Sequence, residues 1–411
     1  MRTESFTRHL SRILTALICV SLILVIPVTG NGGQSFASQE YPLDDAQDFT
    51  GDDLHDYPED YMQTYTDDYF DDYLDDDTGS DPGSEEPIDE PEPEPEFPSP
   101  GAMTAKLVTN PYIIPTHERM MKDMQKLKEQ YPILVDFEII GKTASGVEIP
   151  AITLGVGPKK VLIVGSMHAR EYVTVSQIMR SVDSYAYAYA KGNKIAGIDV
   201  RKVLNEKVTY CFVPMMNPDG VAIASGRANA KQRSLAIKAV GKRSYNKYRR
   251  IWKGNARSVN LNRNFPFRWN DQARQTKKRS YDMYRGPYSE SEAETKAIIK
   301  LCKANDFKFM ISCHTKGYSI WWDDHFTGKI KGAVELSKAI NGITRYPRCT
   351  PVRYLNGGHL ETWFRYKYKK PGIVIEFTPY SQSYHTANRN FDRVIWSRTK
   401  SLWLQLYPYA K

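Results

Sequence analysis

Six short runs rich in branched apolar residues recur along this chain, and patterns of helical spacing separate them. The runs cover residues 133–140, 148–154, 160–165, 208–214, 307–313 and 372–377. Between them Val175, Ile178, Met179, Val182, Ala186 and Tyr189 share one helical face, and residues 289–303 and 332–343 also read as helices. Strands alternating with helices predict an α/β fold in which helices sandwich the sheet. The run 161–164 is apolar without interruption, as expected of a central strand covered on both faces. No internal repeat interrupts this order.

Much of the chain cannot join that core. Residues 40–97 hold 24 of the 48 acidic residues and no Lys or Arg, and they end in alternating Pro and Glu. Such a segment buries too little apolar surface to offset chain entropy, so disorder is expected over residues 38–103. Its interleaved tyrosines (Tyr57, Tyr61, Tyr65, Tyr69, Tyr73) leave three roles open: a solvated spacer, a removed pro-segment or an intramolecular mask. Ahead of it, Arg2, Arg8 and Arg12 precede the apolar run 13–28, and Ser35-Phe36-Ala37 resembles a cleavage site. Residues 1–37 therefore read as a signal peptide, too short in its apolar run for a stable membrane span, and the mature protein is expected outside the cell or at its surface.

Residues 98–411 then carry 53 basic and 23 acidic side chains, which the whole-chain charge of +8 conceals. A part so basic is drawn to polyanions, and after export the nearest are anionic cell-wall polymers, acidic peptides and lipid surfaces. No nucleic-acid recognition motif accompanies the charge, so no nucleic-acid partner is expected. Its length suits one large domain, placed at 104–411. Cys211 and Cys313 lie in apolar runs and read as buried thiols, and a Cys302–Cys349 bridge is left open.

Two histidines follow apolar runs. His168 comes just after 161–165, with Glu171 three residues on, and His314 closes the run 307–313. Both fall at the carboxyl ends of expected strands, the edge where open α/β sheets bind ligands. Two His and one Glu are a zinc donor set that leaves a coordination position free. Glu376 sits inside the apolar run 372–377, where a carboxylate is costly to bury unpaired; it reads as either half of an ion pair or a general base tuned by burial. Asn262 and Arg263 together offer an amide and a guanidinium to a carboxylate. Asn217-Pro-Asp-Gly220 reads as a structural turn.

In this order, His168-x-x-Glu171, Asn217-Pro-Asp-Gly220, Asn262-Arg263-Asn264, His314 and Glu376 resemble the M14 zinc carboxypeptidase family, across residues 108–408. The resemblance implies a mixed sheet of about eight strands between helices. It implies one zinc ion on His168, Glu171 and His314, Glu376 as base, and Arg170 assisting at the carbonyl or in substrate binding. It also implies a terminal carboxylate held by Asn262 and Arg263. Asn260 stands where the family often has an acidic residue behind the first zinc histidine. Lys253 takes the place of an oxyanion-stabilising Arg, with Arg257 as the other candidate, and Tyr354 is a candidate substrate-capping tyrosine. The stretches 252–266 and 314–322 are similar to bacterial enzymes that cut γ-D-glutamyl–diaminopimelate bonds. Leu360 would then lie near the base of the pocket beyond the scissile bond, with His359 and Glu361 as polar neighbours. A peptide substrate follows: a peptidoglycan stem peptide, an ordinary protein C-terminus, or, on a dead peptidase fold, a wall ligand that is only bound.

Overall fold

The computed structural model describes residues 106–411 apart from 273, 325 and 350–356, so the expected signal peptide, the acidic segment up to residue 103 and Tyr354 lie outside the described residues. Eight strands form one mixed sheet: β1 (Val135–Lys142), β2 (Glu148–Leu154), β3 (Lys159–Gly165), β4 (Val208–Val213), β5 (Phe307–His314), β6 (Ser319–Trp321), β7 (Arg348–Cys349) and β8 (Gly372–Glu376). Their order is β1-β2-β4-β3-β5-β8-β6-β7, and the central neighbours β4, β3, β5 and β8 run parallel. The expected eight-stranded α/β sheet is therefore present.

Alternation along β3 shows why the middle of the sheet is so apolar. Val161 and Ile163 face a core built with helices α1 (His117–Gln130) and α2 (Val173–Lys191), whereas Leu162 and Val164 face a second core built with α6 (Ala293–Ala304) and α8 (Leu360–Tyr368). Successive side chains of a strand point to opposite faces, so a strand covered twice must be apolar at every position. Between these helices in sequence lie α3 (Pro218–Ala224), α4 (Ala230–Val240) and α5 (Lys242–Tyr248), and α7 (Ala333–Thr344) follows β6.

Three local differences from the sequence reading have local causes. The first strand begins at Val135, because Tyr131 caps α1 and its carbonyl takes the N–H groups of Leu134 and Val135. Helix α6 begins at Ala293, because the Asn264 side chain accepts the Glu292 N–H and Glu290 is in the left-handed region. Asn217-Pro-Asp-Gly220 opens helix α3: the Asn217 side chain accepts from Gly220 N at 2.9 Å, and Pro218 occupies the first turn, where its missing N–H costs nothing. All four described cysteines are free thiols, so Cys302 and Cys349 form no bridge.

Candidate metal centre and its surroundings

The carboxyl ends of β3, β5 and β8 meet at one point. Past β3 the chain turns through Ser166, whose N–H bonds Thr174 Oγ1, and the Met167 carbonyl is held by Asn217 Nδ2 at 3.1 Å. The Ala169 N–H bonds the Lys253 carbonyl, which fixes the loop that carries His168. A turn then brings Glu171 back, with its N–H on the His168 carbonyl.

His168 Nδ1 lies 3.0 Å from Glu171 Oε1, His314 Nδ1 lies 3.0 Å from Glu171 Oε2, and the two Nδ1 atoms are 3.0 Å apart. All three residues are buried. Ligand atoms of a tetrahedral zinc bound at about 2.0–2.1 Å stand roughly 3.3 Å apart, so this donor set fits that ion in kind and in spacing. Burial drives the His168 imidazole down to about 3, which keeps it neutral. Against burial, the neighbouring carboxylates of Glu171 and Glu361 raise His314 to about 10. Against the same cost of burial, His168 and His314 hold Glu171 well below the usual carboxylate range.

Each histidine is braced on its far side. Asn260 Oδ1 lies 3.2 Å from His168 Nε2 and also accepts the Asn262 N–H. An amide oxygen only accepts, so Nε2 carries the proton and Nδ1 offers its lone pair to the site. Behind His314 stands Glu361, with Oε1 3.7 Å from Nε2. Ser312 donates to the same Glu361 oxygen, and Asn262 Nδ2 lies 3.4 Å from the other. A charged group thus backs His314 and a neutral one backs His168. Glu361, read from the sequence as a pocket neighbour, is turned inward; nothing in the apolar pattern around it signals that orientation.

Glu376 ends β8 directly across from His314 on β5, and the Phe377 N–H bonds the His314 carbonyl. Its Oε2 is buried and has no hydrogen-bond partner among the described residues. Burial, reinforced by the charge of Glu171, pushes its carboxyl up to about 8. An acid–base group able to change protonation near neutral pH therefore sits beside the donor cluster.

The 3-10 turn Leu261–Arg263 presents Asn262 and Arg263 to the same region. Gly358 makes this possible: a Cβ there would lie 2.3 Å from the Arg263 carbonyl, and its φ is +75°. Asn262 Oδ1 accepts the Leu360 N–H at 2.8 Å, while the Leu360 side chain is wholly buried in the second core. Arg263 donates to the Asn262 carbonyl and pairs with no carboxylate among the described residues. Burial lowers its guanidinium from the ordinary value. His359 Nε2 is buried without a hydrogen-bond partner among the described residues.

Lys253 and Arg170 share Asp282, at 3.5 Å each. Arg170 also donates to the Ile251 carbonyl at 2.9 Å and lies over the Tyr384 ring. Arg257 instead points toward Glu292, 3.8 Å away, so of the two cations considered it is Lys253 that adjoins the donor cluster. Asp282 and Tyr384 escaped the sequence reading because both lie in loops without periodicity.

Comparison with known proteins agrees with this geometry. The profile described as zinc carboxypeptidase matches residues 120–341. A γ-D-glutamyl-L-diamino acid endopeptidase of Lysinibacillus sphaericus is 27% identical over 262 residues, 63% of this chain and 64% of that protein. The chain thus spans less than two thirds of that relative. An inactive metallocarboxypeptidase of Arthroderma gypseum is 34% identical over 113 residues, 24% of this chain and 18% of that one. Among solved structures, thrombin-activatable fibrinolysis inhibitor shares the fold, with a TM-score of 0.56, 18% identity and coverage of 76% of this chain and 78% of that one.

Proposed function

Because this chain belongs to the zinc carboxypeptidase family, we propose that it is an exported zinc metallocarboxypeptidase that hydrolyses peptide bonds near a free C-terminal carboxylate, in cell-wall stem peptides of the γ-D-glutamyl–diaminopimelate type. The observation that carries the catalytic part is the pairing of Glu376 with His314 beside a buried two-His, one-Glu donor set. The name of the Lysinibacillus relative and the basic character of residues 98–411 support the wall substrate. Export rests on the basic, apolar and small-residue pattern of residues 1–37.

His168, Glu171 and His314 would hold the ion. When bound, zinc supplies Lewis acidity to such a site. Glu376 takes a proton from the attacking water at Oε2, and the water oxygen bonds to the scissile carbonyl carbon. As the C–N bond breaks, the same oxygen returns the proton to the leaving amine. Arg263 and Asn262 hold the terminal carboxylate, which restricts cutting to chain ends. Lys253, partly neutralised by Asp282, offers positive charge to the developing oxyanion.

The test is a panel comparing a γ-D-glutamyl–diaminopimelate peptide with all-L peptides of equal length, alongside zinc analysis of the purified protein. Turnover of the wall peptide supports the full reading. Turnover of the all-L peptides alone leaves a general carboxypeptidase and removes the wall substrate. Zinc-loaded protein with no turnover of either would place the chain with inactive relatives.

A further inference from the structure

Residues 220–270 contain 13 Lys and Arg and not one Asp or Glu. Within them Lys253, Arg257 and Arg268 form ion pairs, and Arg263 lies at the site. The other nine are exposed, and none of them pairs with a carboxylate among the described residues. Lys238, Lys242, Arg243, Lys247, Arg249 and Arg250 follow one another along α4, α5 and the turn after them. A second exposed group, Lys277, Lys278 and Arg279, adjoins them: the Tyr248 and Tyr281 rings stack at 4.3 Å, and Arg279 donates to the Arg257 carbonyl at 2.9 Å. The result is one uncompensated basic face. It runs to the edge of the candidate site, where Ile251 accepts from Arg170.

Isolated surface cations are usually only solvated. A run of this length with no counter-charge raises a local potential that selects a polyanion. The same chain contains one. Residues 58–97 carry 17 Asp and Glu, no Lys or Arg, and tyrosines at 61, 65, 69 and 73. The described chain also enters the fold beside the basic face, because Arg227 donates to the Ile114 carbonyl at 3.4 Å. The 16 residues between Phe97 and Ile114 reach at most about 60 Å, at roughly 3.3–3.6 Å per residue, whereas α4 is about 16 Å long at 1.5 Å per residue. Tethering gives the segment an effective concentration in the millimolar range without any strong individual contact.

We infer that the acidic segment 58–97 docks on the basic face formed by α4, α5 and residues 277–279, alongside the mouth of the candidate site. Carboxylates meet Lys and Arg side chains there, and the interleaved tyrosines supply ring faces to the same cations. Attraction of this kind weakens as the Debye length shrinks, so salt or a competing polyanion releases the segment. The inference does not depend on which peptide the site cleaves.

The full-length chain is treated with a carbodiimide at about 20 mM and about 500 mM salt, across which the Debye length falls severalfold, and the linked residues are identified by mass spectrometry. The expected result is that acidic residues of 58–97 join Lys238, Lys242, Lys247, Lys277 and Lys278 at low salt, severalfold more than Lys296, Lys300 and Lys303 of α6, which are exposed on the opposite layer. At high salt the difference disappears. A triple variant, Lys242→Glu, Arg243→Glu and Lys247→Glu, alters only exposed side chains, and its fold is checked by circular dichroism. It is expected to lose the links to Lys277 and Lys278 and to show at low salt the larger hydrodynamic radius of the wild type at high salt. Links spread evenly over both layers, or a triple variant with unchanged links and radius, would overturn the inference. So would a wall-type phosphodiester polymer that binds equally well whether or not the Asp and Glu of 58–97 are changed to Asn and Gln.

Discussion

Glu376 and His314 are register partners on adjacent parallel strands, each the last residue of its strand. The position of the proposed base relative to the candidate metal ligand is thus set by a backbone ladder and not by a loop. Glu376→Gln keeps the shape of the side chain and removes its ability to take a proton. The expected outcome is a fall in kcat of about 10²–10⁴-fold with zinc content unchanged, read by steady-state kinetics and metal analysis on the same preparation. A variant with near-normal kcat would assign the base elsewhere.

Arg263 is half-buried, and its only hydrogen-bond partner among the described residues is the Asn262 carbonyl. A substrate carboxylate would supply the missing acceptor. Arg263→Ala should lower kcat/KM by about 10–100-fold, the equivalent of roughly 1.5–3 kcal/mol for a hydrogen bond to a charged group. The loss should appear on peptides with a free C-terminus and vanish on their amides, which measures the group recognised and not the stability of the enzyme.

Behind the two histidines the charges are unequal, with Asn260 at His168 and Glu361 at His314. Glu361→Gln retains an oxygen for Ser312 but removes the charge. Zinc affinity measured by chelator competition should drop by about 10–100-fold, the usual cost of losing a partner of a metal ligand. Asn260→Asp should move it the other way. Equal affinities in all three proteins would show that neither group tunes the ligands.

Away from the site, Asn255 Nδ2 contacts both Glu292 and Glu294 at the start of α6. Burial, with the nearby Glu292 charge, pushes the Glu294 carboxyl from its ordinary 4.5 up to about 8. Between those values the folded protein keeps a proton that the unfolded chain releases. Stability fully present below the unfolded value is therefore lost as pH rises through this window, at up to about 1.4 kcal/mol per pH unit. Urea unfolding at pH 5, 6.5 and 8 should show that slope in the wild type and a flatter one in Glu294→Gln. An unchanged slope in the variant would assign the titration to another group.

The central sheet was legible because β3, β5 and β8 are apolar at consecutive positions, which few other environments require. The donor set was legible for a related reason: His168 and His314 each follow such a run, so both project from the same edge. What the sequence concealed were contacts made by loops. Asp282, which joins Lys253 to Arg170, and Glu361, which turns away from the pocket toward Ser312, occupy positions that no periodicity distinguishes. Asn217 was misjudged in kind, since a turn signal and a helix cap begin with the same Asn-Pro pair. Nothing in spacing told Lys253 from Arg257; only the position of Glu292 does.

The strand pairing that sets Glu376 opposite His314 also makes the site a matter of odd and even. Side chains of a strand alternate between faces, so deleting one residue within β8 would leave its apolar sequence able to pair yet turn the carboxylate toward the wrong layer. Deleting two would restore the orientation and shorten the reach. In chains sharing this sheet, a length change in β8 by a single residue is thus a more damaging event for chemistry than many substitutions, because it reverses a direction that no side-chain choice can recover.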